Sequence, residues 1–328
     1  MSLPGAEHIE QWNAASGGVQ WEDVPMRMGV LDIGSNTGHL LIVDAYRGGP
    51  PVPAHSYKEP LRLAGHLDPG HSMSEEGIAK LVKYVEGAKS EAEDRGCTTV
   101  IAFATSAVRD ATNADDVLKR VHAATGIDLQ VLPGEDEARL TFLAVRRWFG
   151  WSSGRLGVFD IGGGSLELAC GSDETPEVAQ SFPLGAGRLT RDWIDEGRAH
   201  GDLRLHVRSV IADDAGAILR GGAFDHSVGT SKTFRSLARM CGAASSADGP
   251  YVRRFLKHRD LSPLANQLAV MDVAEIAELP GVSPDRADQI LAGALVADAT
   301  MDLFDIDEIE ICPWALREGV LLQHLDHL

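Results

Sequence analysis

The segment VLDIGSNTGHLLIV, residues 30–43, is an apolar run broken by Asp-Ile-Gly-Ser-Asn-Thr and then resumed. A second segment, VFDIGGGSLELAC at 158–170, repeats the pattern. The offset that carries Asp32 onto Asp160 also lays Arg27 on Arg155, Gly29 on Gly157, Val30 on Val158, Ile33 on Ile161, Gly34 on Gly162 and Leu40 on Leu168. Each flanking arm is short, apolar and partly alternating, which predicts a β-hairpin whose tip exposes successive backbone N–H groups. Such a tip forms an anion-binding concavity. A dinucleotide fingerprint would need GxGxxG opening a helix, and a P-loop would need GxxxxGK[ST]; neither segment supplies them.

Working outward from the first hairpin, the chain reads as three strands, helix, strand, helix, strand, helix. The strands fall at 28–33 and 39–45, with a third near 58–64 after a Pro/Gly turn. MSEEGIAKLVKYVEGAKSEAEDRG, 73–96, opens on a Ser74 cap and puts Ile78, Leu81, Val82, Val85 and Ala88 on one helical face. TTVIAFATSAV follows as a buried strand, then a helix over 113–125, the short strand LQVLPG and a long helix from Glu135 to about Phe149. From Arg155 the order starts again, with VAQSFP as the third strand. Two related α/β domains are expected, 27–141 and 142–328, with the boundary in the helix and loop around 141–155. Residues 1–26 carry no periodicity and read as a mobile leader.

A chain of 328 residues exceeds what one core usually serves, and 44% hydrophobic with 24% charged residues describes an ordinary globular protein. No apolar run of about 18 residues occurs, so no membrane span is expected. The N-terminal stretch has neither the basic start nor the apolar middle of a secretory signal, which makes the cytoplasm the expected compartment. Cys97, Cys170, Cys241 and Cys312 are widely spaced and read as small buried hydrophobes, not as a disulfide framework or zinc site. The net charge of −18 repels polyanions at long range, so a nucleic-acid partner is not expected. A phosphate-rich ligand must therefore meet a local site of backbone N–H groups, a metal ion and a few arginines.

An aspartate at the head of a phosphate cradle would repel its ligand unless a divalent cation stood between them. Mg²⁺ favours a few carboxylates together with water and phosphate oxygens, which makes Asp32, Asp160 and Glu167 candidate ligands. Ser35, Asn36, Thr37 and Ser165 offer hydroxyl and amide groups to the phosphate. The plainer reading, Asx hydrogen bonds that merely close turns, accounts for one hairpin better than for two. SVGTSKTFRSLARM, 227–240, brings Gly229, Thr230 and Ser231 to a helix start, either as a third anion site or as an ordinary cap. GEDEARL, 134–140, places Glu135, Asp136 and Glu137 on the first turn of the helix linking the repeats. Helix stabilisation explains three acids there, and one projecting between facing hairpins could polarise a water. Arg188, Arg191, Lys232, Arg235 and Arg317 are candidates for the cleft lining, each read singly as a surface or interdomain residue.

Together DIGSNT, GEDEAR, DIGGGSLE, VGTSKT and ALREGVL resemble the exopolyphosphatase/guanosine pentaphosphatase (Ppx/GppA) phosphatase family, over a span from about Arg27 to the C-terminus. AFATSAVRDA, LTFLAVRRW, LGAGRLTR and EICPWALREG are similar to the short actinobacterial exopolyphosphatases. The resemblance implies an actin-like ATPase/sugar-kinase (ASKHA) superfold: two ribonuclease-H-like α/β domains with mixed sheets and an interdomain cleft. It implies Glu137 as general base and Asp160 and Glu167 as metal-associated carboxylates, with Mg²⁺ or another hard divalent cation such as Mn²⁺. It implies phosphate contacts at Asp32, Ser35, Asn36, Thr37, Arg109, Gly162, Gly163, Gly164, Ser165, Gly229 and Thr230. Where many members have a serine-rich or Asp-Gly lead into ALREG, this chain has Cys312-Pro313-Trp314, which leaves the start of that helix open.

The implied activity is hydrolysis of the terminal phosphoanhydride of inorganic polyphosphate. Longer members carry further helical domains that help hold long polymers, so short chains are the expected substrate. Guanosine pentaphosphate is the alternative substrate. A kinase of the same superfold and a sensor that binds without cleaving are the alternatives in other classes. Many relatives pair, so the resemblance allows a homodimer.

Overall fold

The computed structural model describes residues 26–46, 49–68 and 70–327. The segment read as a leader therefore lies outside the described residues, except for Met26.

Two mixed sheets organise the chain. The first contains β1 (Met26–Ile33), β2 (Thr37–Ala45), β3 (Val52–Pro60), β4 (Thr99–Ala104) and β5 (Gln130–Val131), in the order β3-β2-β1-β4-β5. β1 to β3 form an antiparallel meander, and β4 and β5 run parallel to β1. The second contains β6 (Leu156–Ile161), β7 (Leu166–Gly171), β8 (Val178–Phe182), β9 (His226–Gly229), β10 (Phe255–Lys257) and β11 (Glu308–Ile311), in the order β10-β11-β9-β6-β7-β8. Without the edge strand β10, the order β8-β7-β6-β9-β11 repeats the first sheet strand for strand. The likeness seen in two hairpins thus extends to the whole topology, two ribonuclease-H-like units of the ASKHA type.

Parallel strands need crossovers, and these are helical. In the first half they are α1 (Glu75–Asp94), α2 (Ser106–Arg109) and α3 (Ala114–Thr125), and α4 (Gly134–Phe149) leads to the second half. Ser74 caps α1 by accepting a hydrogen bond from the Gly77 N–H at 3.2 Å. Ile78, Leu81, Val85 and Ala88 bury on Leu31, Ile33, Leu40 and Ile42. The second half adds α5 (Ala186–Leu189), α6 (His200–Ile218), α7 (Lys232–Met240), α8 (His258–Leu268), α9 (Val273–Ala277), α10 (Ile290–Leu303) and α11 (Leu316–Asp326). α10 is buried at every position from Ile290 to Met301, which is why its sequence is apolar all round rather than amphipathic.

Two helices tie the halves together. On α4, Leu140 joins the cluster of Met28, Val30 and Phe103 under the first sheet, whereas Ala138, Phe142 and Val145 join Leu156, Val158 and Val228 under the second. The C-terminal helix α11 crosses back, burying Val320, Leu321 and Leu325 against the first sheet and Leu140. Its glycine makes this possible, since a Cβ on Gly319 would lie 2.6 Å from the Leu140 carbonyl carbon. Arg146, 1% exposed, fixes the joint beyond α4 by donating to the carbonyls of Gly150, Gly154, Gly171 and Asp173 and to Ser153 Oγ.

Two expectations are corrected. The third strand lies at Val52–Pro60, not near 58–64; it is a polar edge strand whose exposed side chains carry no apolar alternation to mark it. Of the cysteines, Cys170 and Cys312 are buried but Cys97 and Cys241 are half-buried, and all four are free thiols. No helix among the described residues is long and apolar enough to cross a membrane.

Candidate active site

The hairpin register ends at Ile33↔Gly38 in the first repeat and Ile161↔Leu166 in the second, so the tips comprise residues 34–37 and 162–165. Both close with the same bond: Gly34 N–H donates to Thr37 O at 3.0 Å, and Gly162 N–H to Ser165 O at 2.9 Å. The tips meet. A Cβ on Gly163 would stand 3.0 Å from Asn36 Nδ2 and from Ser35 Cβ, and one on Gly164 2.7 Å from Ser106 Cβ, so glycine here permits backbone to reach the opposite tip. Across the seam Asn36 and Gln289 exchange amide hydrogen bonds of 2.8 and 3.2 Å, and Arg286 Nη2 donates to Thr37 Oγ1 at 3.0 Å.

Between the hairpins lies a cavity of about 350 Å³. Asp32, Ser35, Asn36, Thr37, Glu137, Asp160, Gly162, Gly163, Ser165, Glu167 and Thr230 all line it. Strand register explains the carboxylates. Asp160 and Glu167 are direct cross-strand partners, which sets them side by side on one face. The equivalent pair in the first hairpin is Asp32 and His39. Duplication therefore left two carboxylates in one repeat and one carboxylate beside an imidazole in the other. Burial, then the Arg317 and Lys58 charges, push the His39 imidazole down to about 3, so it stays neutral; its Nε2 lies 2.8 Å from Ser56 Oγ.

All four acids are held above the ordinary carboxylate range, and for each burial is the main cause. The neighbouring Asp160 charge adds to the rise at Glu167, and the Glu167 charge adds to that at Glu137. Opposing these shifts, Arg317 Nη1 donates to Asp32 Oδ2 at 3.0 Å, Thr230 Oγ1 donates to Asp160, and Ser181 Oγ donates to Glu167 at 3.0 Å. Of the three acids on the first turn of α4, Glu135 projects outward beside Arg139 and only Glu137, 6% exposed, faces the cavity. Arg109 Nη1 donates to its carboxylate.

Three expected residues stand elsewhere. Arg109 lies behind Glu137, Gly164 faces a separate shallow depression with Arg109 and Arg188, and Gly229 ends β9 against Phe234 and Ile309. Gly229 is a packing glycine, because a side chain there would strike the Phe234 ring. Its neighbour Thr230 reaches the cavity because β9 pairs in parallel with β6, and Ser231 caps α7 by accepting from Phe234 N–H at 3.3 Å.

The same cavity is also lined by Lys58, Lys232, Arg235, Arg286 and Arg317, the last bonded to Asp32. Burial, then repulsion by neighbouring cations, depresses Lys58, Lys232 and Arg235 below their ordinary values, and burial alone depresses Arg286, against the pull of Asp285, Asp160 and Asp32. Arg317 Nε is buried and finds no hydrogen-bond partner among the described residues. Lys232, Arg235 and Arg317 were candidates in the sequence. Lys58 and Arg286 carried no signal, being single basic residues on an edge strand and in a short turn before α10. Arg188 and Arg191 do not line the cavity.

The Ppx/GppA phosphatase family model matches residues 42–328. The chain belongs to the Ppx/GppA phosphatase family. It is 53% identical over 305 residues to the protein named Exopolyphosphatase 1 of Mycobacterium tuberculosis, covering 92% of this chain and 89% of that one. Among solved structures, an exopolyphosphatase from Cytophaga hutchinsonii superposes with a TM-score of 0.80 at 26% identity, covering 92% of this chain and 99% of that one. The Aquifex aeolicus family member, at 23% identity with a TM-score of 0.74 over 93% and 99% of the two chains, shares the fold.

In this Ppx/GppA member the donor set fits a hard divalent cation. The cavity acids are all oxygen ligands, among the described residues no thiol lines it, and Asp160 and Glu167 stand side by side as cross-strand partners. Among the described residues no group of three or more His, Cys, Asp or Glu side chains is placed to hold a metal ion alone. A cation at Asp160 and Glu167 would therefore complete its shell with water and phosphate oxygens, as Mg²⁺ does at nucleotide phosphates.

Proposed function

We propose that this protein is an exopolyphosphatase, hydrolysing the terminal phosphoanhydride of inorganic polyphosphate and releasing phosphate. The observation that carries the reading is one cavity lined by five cationic side chains, Lys58, Lys232, Arg235, Arg286 and Arg317, the last with a buried Nε that finds no partner among the described residues. In a chain of net charge −18 such a lining has meaning only toward a local polyanion. The tips at 34–37 and 162–165, with Thr230, supply N–H and hydroxyl donors for the terminal phosphate. Lys58, Lys232, Arg235 and Arg286 face the units behind it.

Phosphoryl transfer needs positioning and charge stabilisation more than covalent help. Glu137 orients a water toward the terminal phosphorus and takes its proton as the new P–O bond forms. The bridging P–O bond breaks, and the shortened chain leaves with that oxygen. A base must be ionised to take the proton; burial and the Glu167 charge oppose ionisation of Glu137, and the Arg109 guanidinium on its carboxylate favours it. When bound at Asp160 and Glu167, Mg²⁺ or Mn²⁺ would neutralise charge on the phosphate oxygens.

Polyphosphate is favoured over guanosine pentaphosphate because, among the described residues, no Phe, Tyr or Trp lines the cavity to stack a purine. The deciding experiment compares phosphate release from tripolyphosphate and from guanosine pentaphosphate in Mg²⁺. Faster turnover of tripolyphosphate is expected. Preference for the nucleotide would reverse the substrate assignment, and tight binding without release would make the protein a sensor.

A further inference from the structure

Arg188 lies outside the cavity, yet it touches the backbone that forms one wall. Its segment, LGAGRLTR, packs directly on the second tip: Ala186 N–H donates to Gly162 O and Arg188 N–H to Gly163 O, each at 2.9 Å. Gly185 and Gly187 permit this approach, since a Cβ on Gly187 would lie 3.1 Å from Gly163 O and one on Gly185 would collide with the Gly164 backbone. The Arg188 side chain then turns toward the other half of the molecule. Its Nε donates to Gly164 O at 2.9 Å, and its Nη2 pairs with Asp110 Oδ2.

Asp110 follows α2 in the first half, and its other oxygen accepts from Arg109 Nε at 3.2 Å. Arg109 Nη1 in turn donates to Leu132 O at 3.2 Å and to Glu137 Oε1. A continuous line of charge-assisted hydrogen bonds thus runs from the second tip through Arg188, Asp110 and Arg109 to Glu137. An ordinary surface ion pair would contribute little. This one is different in placement: side-chain exposure is 23% at Arg188, 30% at Asp110, 21% at Arg109 and 7% at Glu137, and the line runs from the backbone of the second tip at Gly164 to Glu137 in the cavity.

We propose that Arg188 and Asp110 are positioning residues, which hold Arg109 and through it register Glu137 against the second phosphate-binding tip when the two halves are closed. Neither touches the reacting atoms. The inference rests on the reading of Glu137 as the base. Its physical content is that Asp110 keeps two guanidinium groups at fixed angles; without it they repel each other, and Arg109 loses the orientation that aims the Glu137 carboxylate.

The test measures kcat and KM for tripolyphosphate in Mg²⁺ for the full chain with Arg188→Gln, Asp110→Asn, the double variant and Arg188→Lys. A displaced base costs turnover, not binding, so each single variant should lose about tenfold in kcat with KM within about twofold of wild type. The double variant should cost no more than the worse single, because both cut one line. Arg188→Lys should recover part of the loss, keeping the charge toward Asp110 but losing the fork that also reaches Gly164 O. Wild-type kcat in either single variant, losses that multiply in the double, or a defect confined to KM would each overturn the proposal. Thermal melting checks folding; were Arg188→Gln to unfold, the same readings on Asp110→Asn and Arg188→Lys decide the question. A wild-type chain that releases no phosphate removes the Glu137 reading and this inference with it, an outcome distinct from an active wild type with indifferent variants.

Discussion

Replacing Glu137 by Gln separates binding from turnover. The carboxylate is 6% exposed, sits on the first turn of α4 and accepts from Arg109. A glutamine has the same reach, and its amide oxygen accepts from the same donor, so the change falls on proton acceptance rather than on packing. A positioned general base contributes about 10²- to 10⁴-fold, or about 2.7 to 5.4 kcal/mol of the barrier, and kcat should fall by that amount. Affinity for tripolyphosphate should hold or rise, because one of four carboxylates facing a polyanion loses its charge. The pH profile supplies a second reading. Burial and the Glu167 charge raise the Glu137 carboxyl, so the acid limb of kcat/KM should lie above the ordinary carboxylate range of about 4.3 and vanish in the variant. Phosphate release at saturating tripolyphosphate gives kcat, and titration calorimetry gives Kd. A variant kcat within about threefold of wild type, or a Kd weakened more than about tenfold, would refute the reasoning.

Lys58→Ala and Arg286→Ala should each raise KM for tripolyphosphate by about tenfold with a smaller change in kcat, and should flatten the salt dependence of kcat/KM measured across NaCl concentrations. Asp160→Asn should abolish Mg²⁺-dependent activity while raising the Tm of the metal-free protein by about 2 °C, read by calorimetry. The sign follows from the upward shift of Asp160: between the ordinary and raised values the folded state binds the extra proton, so its stability is greatest below the ordinary range and declines as pH rises through the folded value. Gly319→Ala should cost about 1 to 3 kcal/mol in urea unfolding, because the new methyl meets the Leu140 backbone rather than a side chain that could move.

Much of the site was legible in the chain because its chemistry is written in local turns. The duplicated Asp-Ile-Gly motif predicted two facing tips, and Asp32, Asp160 and Glu137 do line one cavity. The Ser74 and Ser231 caps were equally local, and both accept the backbone bonds expected of them. What stayed hidden came from pairing between distant segments. Nothing in the neighbourhood of Lys58 or Arg286 distinguishes them from any solvated basic residue, and only the sheet edge and the turn before α10 carry them to the cavity. At Gly229 the motif and the packing read differently: it stands in a phosphate-like motif, and its missing side chain leaves room for Phe234 and Ile309.

By itself the sequence determined the repeat, the two hairpins and the acids available to them, since hairpin register and helix start depend on residues within a few positions of one another. Tertiary structure turned inward the acid that the family resemblance had singled out, Glu137, and it alone decided that the C-terminal helix returns to the first sheet with Arg317 in its first turn and that Arg188 reaches Asp110. Those outcomes depend on how the two sheets pack on each other, and that packing is set by shape and buried area spread over the whole chain, which no short stretch encodes.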